Sequence, residues 1–555
     1  MTDPFRPPHD QLWFLPLGGA GEIGMNLNLY GHAGKWLMVD LGITFGDEAT
    51  PGIDVIMPDP TFITERVQDL VGIVLTHAHE DHIGAVPYLW SRLRCPLYAT
   101  PFTASVLRRK LEEVDLQDEA EIIEIPMSGK FSLAPFEIEL ITLTHSIPEP
   151  NAVVVRTPLG PVLHTGDWKL DPEPLVGEAT DEAALRKLGQ DGVLAMICDS
   201  TNVFVEGTSG SEADVRDSLM EIVGRLRGRV AIGCFASNIA RIGTIARVAA
   251  AHDRRVALIG RSLWRMVQAA RENGYLTDID DFVTEHDVGY FPANKILMIC
   301  TGSQGEPRSA LARIGRSEHP QVRLETGDTV IFSSRTIPGN EKSISQLQND
   351  LSKLGVAIIT DHDEDVHVSG HPARDELAEM YHWVRPRIAI PVHGEARHIK
   401  EHVALALLCQ VPEALEAANG RLIRLAPGPA EILDHVPFGR LGLDGNALVP
   451  MDSDAVRHRH RLSANGVILV SVVLDKAGKL LTDPQVTLEG LLVDEALSQA
   501  VIGIAGAVRT AIEGLSRSQR DLTEEVTEII RLAARRWFNK TYDKKPITKV
   551  HLIRI

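Results

Sequence analysis

The sequence contains little cysteine, no long apolar run and no excess of positive charge. No uninterrupted apolar stretch reaches membrane-spanning length, and residues 1–8 lack the apolar core of a signal peptide. The cysteines are few, scattered and odd in number, which indicates reduced thiols and excludes a disulfide framework. We therefore expect a cytoplasmic, soluble protein of several domains without membrane association. The five cysteines among 555 residues are Cys95, Cys198, Cys234, Cys300 and Cys409.

The charge balance is acidic, with 75 Asp and Glu against 56 Lys and Arg, a net charge of −19. Proteins that coat nucleic acid commonly carry basic faces, so this balance argues against such a role. It does not exclude an enzyme that holds a short nucleic-acid stretch in a local channel. Four arginines follow predicted strands, where such a channel would form: Arg241, Arg261, Arg308 and Arg335.

The most informative segment is His77-Ala78-His79-Glu80-Asp81-His82, an H-x-H-x-D-H pattern. A β-branched apolar run over 70–75 predicts a buried strand before it, and 83–90 predicts a helix after it. Imidazole and carboxylate ligands suit zinc, and manganese can occupy a similar set. The alternative is a surface loop that happens to be rich in histidine and acid, which this spacing disfavours. We therefore expect a metal site on a strand-to-helix turn.

The pattern resembles the signature of the metallo-β-lactamase superfamily, an αββα sandwich. An alternating strand over 137–144 ends at His145, a predicted hairpin over 153–164 leads to Asp167, and an apolar strand ends at His393. The resemblance implies that the first metal is held by His77, His79 and His145, the second by Asp81, His82 and His393, with Asp167 bridging the two.

The 225 residues between Asp167 and His393 leave room for an inserted domain. Asp199, His371 and His393 resemble the three motifs of the β-CASP branch, whose members cut nucleic acid. The alternative for His371 is a structural position beside a helix start. The insertion disfavours a small-molecule lactamase or thioester hydrolase.

Within this branch the chain resembles the bacterial ribonuclease J family over about its first 450 residues. The resemblance rests on 17–26, rich in glycine, on 39–42, on 52–59 and on 391–395. Glycine patterns also occur in dinucleotide-binding folds, but here no ribose-binding acid follows in a βαβ context. We therefore interpret these glycines as tight turns that line the metal site.

The inserted region alternates apolar strands with helices, which predicts a parallel α/β sheet whose ligands collect at the carboxyl ends of its strands. Residues 236–238 lie at one such end before a helix, where phosphate binding and helix capping use the same geometry. Ala240 stands where several relatives carry histidine, so we expect that wall of the channel to differ. The resemblance implies substrate contacts from Ala236, Ser237, Asn238, His367, Val368, Ser369, Gly370 and His371.

The last hundred residues predict a small α/β domain with a strand over 467–474, a second near Val486, two amphipathic helices and a final strand over 550–553. Its basic residues indicate a solvated face by spacing, while the resemblance suggests dimerisation. They are Arg531, Arg535, Arg536, Lys540, Lys544, Lys545 and Lys549. We expect four segments: 1–205, first part of the metallo-β-lactamase domain; 206–360, β-CASP domain; 361–450, second part with a linker near 427–429 and 452–454; and 451–555, oligomerisation domain.

The resemblance implies a ribonuclease with two Zn²⁺ per subunit (Mn²⁺ being possible) that hydrolyses RNA phosphodiesters. It implies 5′-to-3′ exonuclease action on 5′-monophosphate ends together with internal cleavage, in mRNA decay and rRNA processing. Asp81 would orient the attacking water, His371 would protonate the leaving oxygen, and His367 with Ser369 would hold the monophosphate. Expected partners are single-stranded RNA, further copies in a homodimer or homotetramer, and RNA-decay proteins. The alternatives are a β-CASP DNA nuclease and a non-catalytic RNA-decay scaffold, which would be expected to lose ligands.

Overall fold

The computed structural model describes residues 3–47, 49–337 and 339–555. They divide into two compact units, one comprising residues up to Thr44 with Met57–Gly439, the other Phe45–Ile56 with Arg440–Ile555. Among the described residues, no helix combines the length and the apolar character needed to cross a bilayer. All seven expected metal ligands lie in the first unit.

Strands occur throughout both units. In chain order they are Leu12–Gly18 (β1), Ala20–Gly21 (β2), Leu27–His32 (β3), Lys35–Val39 (β4), Thr44–Phe45 (β5), Val55–Pro58 (β6), Leu70–Val74 (β7), Leu97–Ala99 (β8), Ile122–Glu124 (β9), Lys130–Leu133 (β10), Phe136–Thr142 (β11), Asn151–Thr157 (β12), Gly160–His164 (β13), Ala195–Asp199 (β14), Val230–Gly233 (β15), Arg255–Ile259 (β16), Ile296–Cys300 (β17), Thr329–Phe332 (β18), Ala357–Ile359 (β19), Ile388–Val392 (β20), Gly394–Glu395 (β21), Glu413–Ala414 (β22), Arg421–Ala426 (β23), Glu431–His435 (β24), Arg440–Asp444 (β25), Ala447–Pro450 (β26), Val467–Leu474 (β27), Gln485–Glu489 (β28) and Ile547–Arg554 (β29).

The α-helices alternate with these strands. They are Thr61–Thr64 (α1), Glu80–Ile83 (α2), Val86–Leu93 (α3), Pro101–Glu112 (α4), Glu182–Asp191 (α5), Glu212–Arg225 (α6), Ile239–Ala251 (α7), Arg261–Glu272 (α8), Ala310–Gly315 (α9), Glu341–Lys353 (α10), Arg374–Val384 (α11), Ala396–Leu408 (α12), Asp454–Asn465 (α13), Asp494–Glu513 (α14), Arg517–Arg520 (α15) and Thr523–Tyr542 (α16).

Two large sheets form a sandwich in the first unit. One has the order β24-β23-β1-β3-β4-β7-β8-β9, the other β10-β11-β12-β13-β14-β20-β22. Their facing side chains, such as Val39, Val74, Val153 and Ile390, form one buried core. The outer face of the second sheet is covered by α5, α11 and α12, which bury the opposite residues of the same strands. Because both faces are covered there, β14 and β20 in the middle of the sheet are nearly continuous apolar runs, whereas β11 nearer the edge alternates apolar and acidic residues.

The inserted region forms a parallel sheet of order β16-β17-β15-β18-β19. It leaves the sandwich after β14 and returns before α11. Its apolar residues form a separate core with the helices that connect its strands. The predicted α/β fold, a metallo-β-lactamase sandwich with an inserted parallel sheet, is therefore confirmed. The expectation did not include β19, a short strand at the sheet edge.

The second unit contains a three-stranded sheet of order β28-β27-β29. Ile504, Val508 and Ile512 of α14 recur every fourth residue and pack with the buried stripe of α16 in one core. The two segments proposed for the linker, 427–429 and 452–454, are separated by β24, β25 and β26. Of these three strands, β24 lies at a sheet edge, is exposed along its whole length and carries Glu431 and Asp434.

Candidate metal centre

The H-x-H-x-D-H segment begins three residues after the end of β7, and its Asp81-His82 pair lies in the first turn of α2. The backbone beyond β4 holds it: Leu41 N–H donates to the His82 carbonyl at 2.7 Å. A Cβ added at Gly42 would lie only 1.7 Å from the Asp81 carbonyl oxygen. Glycine is therefore required where these two backbones meet. The segment after β7 thus brings all four ligand-type side chains together.

His77, His79, His145 and Asp167 form the first cluster, with one ligand atom of each within 4.8 Å of the others. The Nε2 atoms of His77 and His145 each lie 3.0 Å from His79 Nδ1. Burial lowers the pKa of His77 and His145 well below the ordinary value and that of His79 to about 4. Neutral imidazoles of this kind are ready to act as metal ligands.

Asp81, His82, Asp167 and His393 form a second cluster that shares Asp167 with the first. His82 Nε2 lies 3.1 Å from Asp167 Oδ2, and His393 Nε2 lies 3.1 Å from Asp81 Oδ2. Burial opposes a positive charge on the two histidines, but the surrounding carboxylates raise the pKa of both well above the ordinary value. The carboxylates thus create a site that favours a cation.

The arrangement fits a divalent transition metal. Two nitrogens at about 2.0–2.1 Å from a tetrahedral zinc ion lie about 3.3 Å apart, close to the 3.0 Å observed here. Asp167 Oδ1 is buried without a hydrogen-bond partner among the described residues. Such an atom is costly unless a cation or water engages it. Imidazole nitrogens that face one another and a buried carboxylate oxygen without a hydrogen-bond partner are typical of a set of metal ligands.

Outer contacts orient these ligands. Thr76 Oγ1 donates to Asp40 Oδ2 at 2.9 Å and therefore accepts from His77 Nδ1, also at 2.9 Å. His82 Nδ1 donates to the same Asp40 oxygen at 2.7 Å. Each imidazole then keeps Nε2 for the cluster, the usual arrangement for metal-bound histidine. Asp40 was absent from the predicted site, and the only sequence signal for it was its position at a strand end.

The loop His367–His371 lies against the first cluster. His145 Nδ1 donates to the Gly370 carbonyl, and a Cβ at Gly370 would lie 2.7 Å from His145 Cε1. His367 Nδ1 is buried without a hydrogen-bond partner in the described part of the chain. Burial, followed by the nearby Arg241 charge, lowers the pKa of His367 well below its ordinary value. The loop thus brings a neutral His367, Val368, Ser369 and His371 to the edge of the site.

His371 is paired with Asp199, whose Oδ2 lies 2.8 Å from His371 Nδ1. Burial opposes its charge, but Asp199 and Asp167 raise the pKa of His371. Asn202 Nδ2 donates to Ser369 Oγ at 2.7 Å and to the His371 carbonyl at 3.0 Å. The side chain of His371 remains 23% exposed, so it is accessible at the mouth of the site.

The segment 236–238 lies at the carboxyl end of β15, as predicted. Asn238 is buried, and its side chain accepts from the Arg241 N–H at 2.8 Å as the cap of α7. Ala236 and Ser237 are partly exposed, and Ala240 lines a cavity of about 110 Å³ that reaches His145. Arg241 is fully buried, so the expectation that it faces a channel was wrong. The three other channel arginines, Arg261, Arg308 and Arg335, are exposed.

Four family models match successive parts of the chain. They are "Metallo-beta-lactamase superfamily" over 25–193, "Ribonuclease J, beta-CASP domain" over 227–351, "Zn-dependent metallo-hydrolase RNA specificity domain" over 362–407 and "Ribonuclease J C-terminal domain" over 454–555. A Ribonuclease J of Sinorhizobium meliloti is 44% identical, the match covering 98% of each chain.

The chain belongs to the ribonuclease J family. Further Ribonuclease J proteins are 34% identical: that of Thermus thermophilus over 97% of this chain and 95% of its own, and that of Corynebacterium glutamicum over 99% and 76%. A solved protein of unknown function from Enterococcus faecalis V583 shares the fold at 15% identity and TM-score 0.53, covering 75% of this chain and 100% of its own. Membership in the ribonuclease J family identifies the chain as a metal-dependent ribonuclease.

Proposed function

We propose that this protein is a two-zinc ribonuclease that degrades RNA from 5′-monophosphate ends in the 5′-to-3′ direction and also cuts internally. The observation that carries the proposal is the pair of ligand clusters sharing Asp167, with the loop 367–371 bonded to His145 at their edge. The metal ligands and the loop that would hold the RNA end are thus in direct contact.

In this proposal His77, His79 and His145 would hold one ion, Asp81, His82 and His393 would hold the other, and Asp167 would belong to both ligand sets. When bound, divalent ions lower the pKa of a coordinated water and offset charge on the scissile phosphate. Manganese would satisfy the same nitrogen and oxygen ligands.

His371 and Asp81 are the proposed catalytic side chains. His371 is oriented by Asp199 and partly exposed, so it can donate a proton to the leaving oxygen. The Asp81 side chain is 29% exposed, so its carboxylate can orient the attacking water.

The 5′-phosphate would be held between two segments. Ser369, Gly370 and His367, whose Nδ1 is buried, would form one wall, with Val368 supporting the loop. The other wall would be formed by the partly exposed Ala236 and Ser237 and the buried Asn238 at the start of α7, where the helix dipole would favour an anion. A monophosphate fits such a pocket better than a bulkier, more charged triphosphate.

The test uses metal-loaded full-length protein and RNAs of one sequence with a 5′-monophosphate or a 5′-triphosphate, with products sized over time. The monophosphorylated RNA should disappear faster and yield mononucleotides, whereas the triphosphorylated RNA should yield mainly internal fragments. DNA of the same sequence is the control. Preferential DNA cleavage would favour the β-CASP DNA nuclease, and identical ladders from both RNAs would refute the 5′-end pocket.

We further propose a cytoplasmic role in mRNA decay and rRNA processing, with single-stranded RNA as substrate. The division into 1–205, 206–360, 361–450 and 451–555 remains our proposal for the domains. The last domain would support a homodimer or homotetramer, since Val493 and Ile502 of this unit are exposed apolar side chains. RNA-decay proteins would be further partners. Sedimentation analysis of the full chain tests the oligomer.

A further inference from the structure

A buried ionic cluster, separate from the metal ligands, lies where the inserted sheet joins the sandwich. Its members are Asp171, Glu212, Arg241, Ser333 and Val366, and we call it the junction cluster. Arg241 is 0% exposed, although arginine is almost never fully buried unless paired. A guanidinium buried this deeply is stable only when all its N–H groups donate hydrogen bonds. The acceptors of these hydrogen bonds therefore show which segments Arg241 joins.

Arg241 contacts three separate segments. Its Nε and Nη2 donate to the two carboxylate oxygens of Glu212 at 3.0 and 3.1 Å, a bidentate pair. Its Nη1 donates at 3.1 Å to the carbonyl of Ser333, beyond β18, and at 2.9 Å to the carbonyl of Val366. Ser333 Oγ also donates to the Val366 carbonyl at 2.7 Å. Val366 immediately precedes the loop 367–371.

The cluster continues towards the metal centre. Asp171 accepts from Ser211 Oγ at 2.7 Å and from the Glu212 N–H at 3.0 Å. Lys169, two residues after Asp167, pairs with Asp171 at 2.9 Å and is itself buried. An unbroken series of charged and hydrogen-bonded groups therefore runs from the segment that follows the shared ligand to the start of the loop that contacts His145.

The chain crosses between the sandwich and the insert twice, before α6 and after β19. Glu212 lies at the first crossing and Val366 at the second, and Arg241 of α7 bonds to both. Because guanidinium geometry is a rigid planar fork, these contacts fix distance and angle together. Lysine at this position would keep the charge but not the fork.

We propose that Arg241 and Glu212 are positioning residues that set the loop 367–371 against the metal centre, and so make cleavage depend on the RNA 5′ phosphate. This inference rests on the proposed function, since it assigns the loop to the 5′ end. Neither residue touches RNA in this account. Their effect passes through Ser333 and Val366 to His367 and Ser369.

The experiment compares Arg241→Lys, Glu212→Gln and Ser333→Ala with the unmodified full-length, metal-loaded protein. Arg247→Lys is the matched control, because Arg247 lies on the same α7 and makes a bidentate pair with Asp278, but on the surface. The readout is the ratio of initial rates on 5′-monophosphate and 5′-triphosphate RNA, together with kcat, KM and bound metal. Ser333→Ala, which removes only a hydroxyl, keeps the test usable if Arg241→Lys folds poorly.

The ratio should fall by about 10-fold in Arg241→Lys and by about 5-fold in Ser333→Ala, the scale of one or two lost hydrogen bonds to the loop. The loss should appear mainly as a higher KM for monophosphorylated RNA, while internal cleavage and metal content stay unchanged in these variants. The Arg247→Lys control should keep the rate ratio of the unmodified protein. Equal losses on both RNAs would assign the junction cluster a purely structural role and overturn the inference. If the unmodified protein cleaves both RNAs at equal rates, the proposed 5′-end pocket is refuted. If the unmodified protein prefers monophosphorylated RNA and Arg241→Lys keeps that preference in full, only the present inference is refuted.

Discussion

Two clusters of buried charged groups in the first unit, the junction cluster and the metal centre, differ in how their charges are satisfied. At the junction cluster, Arg241 meets both oxygens of Glu212 and two backbone carbonyls, so opposite charges and donors match. At the first metal cluster, groups of the same kind face one another. Imidazole nitrogens lie 3.0 Å apart, and Asp167 Oδ1 has no hydrogen-bond partner among the described residues.

The difference shows what each place requires. A matched buried pair is complete without any ligand, and its role is to fix geometry. A group of facing ligands is incomplete, and its stability and chemistry depend on a bound cation. Substitutions in the junction cluster should therefore change the preference for the RNA 5′ end, whereas substitutions of the metal ligands should abolish catalysis.

The largest expected effect comes from the metal ligands. His77→Ala or His79→Ala should lose bound zinc and lower turnover by at least about 10³-fold, because water activation and charge stabilisation are lost together. The measurement is metal analysis with RNA cleavage on the same sample. His32→Gln, at another buried histidine that bonds a backbone carbonyl, is the control and should keep its metal. Unchanged zinc in both alanine variants would contradict the assignment.

His371→Ala should keep its metal and lose turnover on the order of 10² to 10⁴-fold, the range for a lost proton donor. It is not one of the proposed metal ligands, so kcat should fall more than RNA affinity. Steady-state kinetics on monophosphorylated RNA measure this. Asp199→Asn should show a smaller loss in the same direction, since it removes only the orienting charge. Near-normal turnover of His371→Ala would return that residue to a structural role.

Asp40→Asn tests the outer contacts of the ligands. Asp40 accepts from His82 and Thr76, and the loss of such a partner typically weakens metal affinity by about 10 to 100-fold. Titration with zinc against a competing chelator measures the change. Asp69→Asn, which affects only a surface pair with Lys35, is the control. An unchanged zinc affinity in Asp40→Asn would show that His82 is held by other contacts.

The smallest expected effect is on 5′-end choice. Ser369→Ala should narrow the rate difference between monophosphorylated and triphosphorylated RNA by about 5-fold, the scale of one lost hydrogen bond, without loss of zinc. Because Ser369 Oγ also bonds Asn202 and the His371 N–H, kcat on triphosphorylated RNA serves as the internal control. If both RNAs slow equally, Ser369 supports His371 and does not read the phosphate.

The structure brings together the seven residues that the sequence singled out as metal ligands. Four of them lie within six positions, and each of the other three follows a recognisable strand. The parallel insert was likewise predicted from β-branched runs, since buried strands leave continuous apolar patterns. Both predictions depend on patterns within short segments of the chain, which do not require knowledge of distant contacts.

What the sequence could not predict depends on tertiary contacts. The burial of Arg241 follows from Glu212, Ser333 and Val366, which lie 29, 92 and 125 positions away. The role of Asp40 depends on its hydrogen bond with His82, since the two residues follow different strands, β4 and β7, and come together only in the fold. Strands β24 to β26 were not among the predicted elements. β24 is exposed along its whole length, so its sequence lacks the apolar pattern of a buried strand.

The most direct test of the account is bound metal per chain, measured with RNA cleavage in the unmodified protein and in Asp167→Ala. Since Asp167 belongs to both clusters, we predict two ions per chain in the unmodified protein. The variant should lose most of that metal together with its cleavage. Two ions and normal cleavage in Asp167→Ala, or full cleavage by an unmodified protein stripped of divalent metal, would contradict the account.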